Sequence, residues 1–186
     1  WTKLGGDIDG ENASDYSGGY NSNGQSVSLS ADGLTVAIGA RGNDGNGSDS
    51  GHVRVYEYSD NNNDGTSTWN LVGSDIDGEA GGDLSGYSVS LSSDGSIVAI
   101  GAWGNDSYRG HARVFKYREY TQSESDSNAY YYQSQTQNSS QTKPLIITEN
   151  DTTAPVVGNS YWMQLGGDID GEAVNDYSGW SVSLSS

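Results

Sequence analysis

Ser26–Ala40 reads SVSLSADGLTVAIGA, and Ser88–Ala102 reads SVSLSSDGSIVAIGA. In the first copy Val27 and Leu29 alternate with serine, and a period of two describes a strand with one buried face. Asp32-Gly33 and Asp94-Gly95 follow as hairpin dipeptides, because a tight two-residue turn asks for positive φ at both central positions. TVAIGA and IVAIGA then return as small, apolar strands fit for burial on both faces. A third appearance, SVSLSS at Ser181, stops there.

The unit extends in both directions. Upstream stand WTKLGGDIDGE at Trp1, WNLVGSDIDGE at Trp69 and WMQLGGDIDGE at Trp162, each followed by an Asp and then by Ser-Gly. Downstream stand GHVRVYEY at Gly51 and GHARVFKY at Gly110, whose alternation predicts a third strand. The short tryptophan segment supplies a fourth. The reading is all-β: antiparallel four-stranded blades, β-propeller-like, incomplete as given, with two full repeats plus the start of a third. The expected divisions are repeat 1 at 1–68, repeat 2 at 69–119, a low-complexity insertion or linker at 120–161 and a truncated repeat 3 at 162–186. The insertion is rich in Ser, Gln, Asn and Thr. Its first half predicts a long loop, and LIIT and APVV in its second half predict an extra hairpin or a segment packed on a neighbour.

SGYSVSLSSDGSIVAIGAWG resembles an FG-GAP repeat, the blade unit of the integrin α-chain propeller, with Ser85-Gly86 in the Phe-Gly place and Gly101-Ala102 in the Gly-Ala place. It also resembles the multi-copy SxDGxxVAIGA repeat proteins of marine microbes and algae. The resemblance implies a propeller blade. FG-GAP blades hold calcium in the loop between these two strands, but here that loop is only Ser30–Gly33 or Ser92–Gly95. One carboxylate cannot supply six to eight oxygen ligands, so that calcium site does not carry over.

Composition narrows the function. The chain has 25 Asp and Glu against 8 Lys and Arg, a net charge of −17 that repels phosphate backbones and argues against nucleic acid as a partner. Cysteine is absent, which excludes disulfides and thiolate metal sites. No apolar run approaches the ~20 residues that span a bilayer, so membrane insertion is not expected. No GxSxG elbow and no phosphate-binding loop leading into a helix is present. The chain is read as no enzyme.

Three groups of candidate residues remain. The GDIDGE loops alternate carboxylates with a glycine, a pattern that could converge on calcium: Asp7, Asp9, Glu11 and Asp15; Asp75, Asp77, Glu79 and Asp83; Asp168, Asp170, Glu172 and Asp176. The alternative is an acidic turn whose Asp side chains cap backbone N–H groups. Trp103, Tyr108 and Trp180 vary between units and could stack on sugars or a partner. Five sequons begin at Asn12, Asn46, Asn105, Asn138 and Asn150. His52 and His111 share one repeat position beside Arg54 and Arg113 and are read as packing or hydrogen-bonding elements rather than a catalytic pair.

These features predict a non-catalytic structural or adhesive repeat protein, extracellular or at the cell surface, within a larger propeller or filamentous assembly. The expected partners are copies of itself or further repeats of the same chain, and glycans or cell-surface proteins. The alternative is a calcium-dependent glycan- or protein-binding module. The phrase broken at Ser186 predicts that further repeats follow.

Overall fold

The computed structural model describes residues 1–19, 26–61, 66–121, 131–132, 145–147 and 155–185. Two β-sheets carry the fold. In the first, β1 (Val27–Leu29), β2 (Thr35–Ala40), β3 (His52–Asn61) and β4 (Thr66–Leu71) lie side by side, every pair antiparallel. In the second, β6 (Ser88–Leu91), β7 (Ile97–Ala102) and β8 (His111–Glu119) repeat that order, and β11 (Ser160–Gln164) follows. The chain is therefore all-β. Among the described residues the one helical element is a single turn, α1 (Asn105–Tyr108), with positive φ at Asp106, Ser107 and Tyr108.

The alternating phrase forms β1 and β6, and the apolar phrase forms β2 and β7, with four and five of their six residues buried. The connecting turn departs from expectation. Gly33 and Gly95 take positive φ, but Asp32 and Asp94 do not. Gly33 N–H donates to Ser30 O, and the Asp32 carboxylate accepts from Ser30 Oγ (2.6 Å) and Leu34 N–H (2.9 Å). The aspartate braces a longer turn through its side chain and leaves positive φ to glycine.

Sheet boundaries do not coincide with repeat boundaries. Trp69 lies in β4, paired with Tyr58 of the preceding unit, and Trp162 lies in β11, paired with Tyr117. The Trp69 and Trp162 segments thus join the sheet of the unit before them. The chain then turns back, so that β5 (Ile76–Asp77) pairs with the start of β3 and β12 (Ile169–Asp170) with the start of β8. Within the insertion, β10 (Leu145–Ile147) pairs antiparallel with β11, and β9 (Tyr131–Tyr132) pairs parallel with β10. Leu145–Ile147 of the LIIT phrase therefore lies between β11 and β9, and residues 155–157 of APVV form no strand.

One core joins the two sheets: Ala37, Val53 and Val55 of the first unit pack with Ile76, Val89, Leu91, Val98, Ile100, Phe115 and Trp162. Val89 and Leu91 of β6 are buried against β1 and β2, whereas the equivalent Val27 and Leu29 are 47% and 57% exposed. The same sequence phrase is core or surface according to whether a preceding sheet covers it. The approach is close: a Cβ on Gly39 would strike Gly86 O, and one on Gly101 would strike Gly179 O. Only glycine lets these backbones meet.

Candidate functional site

The seams between units concentrate the polar chemistry. Pairing of β5 with β3 sets Asp77 opposite His52, and Asp75 lies just before β5. His52 is buried, and its Nδ1 faces Asp75 Oδ2 at 3.6 Å, Glu11 Oε2 at 3.9 Å and Asp77 Oδ1 at 4.0 Å. Arg54 Nη1 lies 3.5 Å from Glu11 Oε1, and its Nη2 donates to Asp9 O. The second seam repeats this arrangement. His111 Nδ1 faces Glu79 Oε2 at 3.8 Å and Asp168 Oδ2 at 3.9 Å, Arg113 Nη1 lies 3.6 Å from Glu79 Oε1, and Arg113 Nη2 donates to Asp77 O. Each histidine thus sits between the glutamate of its own unit and the first aspartate of the next. The ligand atoms of Glu11, His52 and Asp75 lie within 4.8 Å of one another, as do those of Glu79, His111 and Asp168.

Burial governs the charge states. Desolvation, aided by Arg54, lowers the His52 pKa to about 4, and desolvation with Arg113 lowers His111 to about 3. Both rings are neutral at pH 7. Desolvation raises Asp75 to about 6, with Glu11 adding repulsion, and raises Glu79 to about 7 against the opposing pull of Arg113.

The twelve carboxylates singled out from the sequence divide by role. Asp15, Asp83 and Asp176 cap their loops: Asp15 accepts from Asn12 N–H (3.2 Å), Asp83 from Glu79 and Ala80 N–H (3.1 and 2.8 Å), and Asp176 from Ala173 N–H (2.7 Å). Asn43 and Asn105 bind the first two of these caps from the following loop. Glu11, Asp75, Asp77, Glu79 and Asp168 face the histidines. Asp7, Asp9, Asp170 and Glu172 are exposed, and Asp7 pairs with Lys3 Nζ at 2.6 Å. The four carboxylates of one loop do not gather at one point. The histidines were the residues sequence reasoning set aside, although their identical repeat position beside an arginine was a usable signal.

Trp103, Tyr108 and Trp180 do come together. Trp103 stacks on Tyr108 with ring centroids 5.5 Å apart and lies 5.4 Å from Trp180. Tyr177 lies 5.8 Å from Trp103, and buried Tyr87 closes the cluster from below, 4.9 Å from Trp180. Trp103, Asp176, Tyr177 and Trp180 line an open cavity of about 610 Å³. At the first seam Arg41 replaces Trp103, its guanidinium 4.8 Å from the Tyr16 ring centroid. Tyr87 stands at the repeat position of Trp180, and Tyr177 at that of Tyr16 and Leu84; neither was among the residues singled out from the sequence.

Of the sequons, Asn12 is exposed. The Asn46 amide donates to Gly78 O and Glu79 O, both at 2.8 Å, and the Asn105 amide donates to Asp83. Asn138 and Asn150 lie outside the described residues. No described helix is long and apolar enough to cross a membrane. No family model, no curated protein and no solved structure matches the chain.

Proposed function

We infer that the chain is a non-catalytic structural or adhesive repeat module, extracellular or at the cell surface, whose sheets stack as propeller-like blades. One observation carries this reading: the two seams are built from equivalent residues making equivalent bonds. Leu91 N–H donates to Ser28 Oγ, and Leu184 N–H donates to Ser90 Oγ, both at 2.9 Å. Gly51 bridges Ser85, and Gly110 bridges Ser178. The indoles of Trp69 and Trp162 donate to Leu4 O and Val72 O. A seam of this kind is heterologous, front to back, and such contacts propagate into rings or filaments. The buried polar groups of the seams serve docking, and no nucleophile is paired with a base among them. The test is electron microscopy of native material together with scattering from the purified chain. Filaments, sheets or rings are expected. A dispersed monomer without adhesion to cells or coated surfaces would overturn the reading.

The aromatic cluster favours a second reading, a glycan- or protein-binding module that uses calcium. Trp103, Tyr108, Tyr177 and Trp180 offer ring faces beside the Asp176 carboxylate, a combination suited to sugar stacking with a polar anchor. Glycan-array binding that is lost on chelation would favour it over a passive scaffold.

A further inference from the structure

We propose that each inter-repeat seam is a binding site for a zinc-class divalent metal, held by the Glu and His of one unit and the first Asp of the next. The two sites are Glu11–His52–Asp75 and Glu79–His111–Asp168.

Distances at both seams suit a bound metal. Four-coordinate zinc holds nitrogen and oxygen ligands at roughly 2.0–2.2 Å, which sets neighbouring ligand atoms about 3.3–3.6 Å apart. His52 Nδ1 stands 3.6, 3.9 and 4.0 Å from three carboxylate oxygens, and His111 Nδ1 stands 3.8 and 3.9 Å from two. These gaps are too long for hydrogen bonds and only a few tenths of an ångström wider than a metal requires.

His111 lacks the partner that its burial calls for. His111 is 1% exposed, its Nε2 has no hydrogen-bond partner, and its Nδ1 is aimed at carboxylates beyond hydrogen-bond range. A buried imidazole with neither nitrogen in a hydrogen bond gains a partner for its Nδ1 from a metal.

Charge balance favours a dication. At the first seam three carboxylates face His52 and one guanidinium, that of Arg54, offsets them. A dication balances the remainder. The orientation of Glu79 fits the same division: Oε1 turns to Arg113, and Oε2 turns to His111.

Donor type selects the metal. Calcium takes six to eight oxygens, whereas one imidazole nitrogen among carboxylates suits zinc. Because the ligands come from adjoining units, each ion would fasten one repeat to the next. The stapling acts within the structural reading given above, but the binding test does not depend on it.

The chain has only two histidines, one per seam, so nitrogen NMR of the full chain labelled at histidine reads each site separately. After chelator treatment, zinc chloride should move both Nδ1 resonances. Calorimetry should give two zinc ions per chain, and the Tm should rise by several degrees. His111→Gln should reduce the stoichiometry to one; should that variant fail to fold, the wild-type resonances decide. Nδ1 resonances unmoved at millimolar zinc, or moved equally by calcium, would overturn the proposal.

Discussion

Trp162 donates its indole N–H to the carbonyl of Val72 at 2.8 Å, joining residues 90 positions apart. The ring is fully buried, and Gly73 lies against it so closely that a Cβ there would approach the indole at 2.9 Å. Trp162→Phe leaves the Val72 carbonyl without its donor and opens a void, and should cost about 1–3 kcal/mol. Trp69 makes the equivalent bond to Leu4 O but is partly exposed, so Trp69→Phe should cost less. Urea titrations of both variants check the order.

Two glycines separate backbone strain from close approach. Gly33 has φ +74° and open space around its Cβ position, so Gly33→Ala should cost only the left-handed penalty, about 1–2 kcal/mol. Gly101→Ala drives a methyl group into Gly179 O across the seam and into Ser88 Oγ of the neighbouring strand. It should be the more damaging of the two and should expose the 162–186 segment to limited proteolysis first.

In the presence of a chelator, the second seam should show opposing pH slopes. The His111 pKa falls from 6.5 to about 3 on folding, so its contribution is full above pH 6.5 and is lost as pH falls through 3. The Glu79 pKa rises from 4.5 to about 7, so its contribution is full below pH 4.5 and is lost as pH rises through 7. Arg113, Asp168, Asp83 and Asp170 share the surroundings of Glu79. Between pH 4.5 and 6.5 the two effects offset each other. Relative to wild type, Glu79→Gln should give stability that rises more steeply with pH in this window, and His111→Gln stability that falls. Urea midpoints at a series of pH values read both slopes.

Trp103→Ala should abolish any aromatic-face ligand binding while leaving the seam hydrogen bonds intact, because its ring contacts are confined to the cluster. Ligand titration followed by tryptophan fluorescence, beside urea unfolding, separates lost binding from lost fold.

Expression through a eukaryotic secretory route should place glycan on Asn12 and leave Asn46 and Asn105 bare in the folded protein. The last two commit their amide nitrogens to Gly78, Glu79 and Asp83. Glycopeptide mapping gives occupancy at each.

The alternating SVSLS phrase, the apolar TVAIGA phrase and the thrice-repeated DIDGE motif were enough to determine an all-β repeat. Strand periodicity is local, and the burial of β2 and β7 follows from it. Three further matters were settled only in three dimensions. The tryptophan strand joins the preceding sheet, because its hydrogen-bonding edge is supplied by β3 or β8 rather than by its own unit. That step back carries Asp75 and Asp168 to the histidines of the unit before, where no spacing within a single loop could place them. The same stacking gathers Trp103, Tyr108, Tyr177 and Trp180 into one patch from residues that share no period. Local pattern sets which face of a strand is apolar; which neighbours meet across a seam depends on backbone pairing and close approach, which pattern alone does not encode.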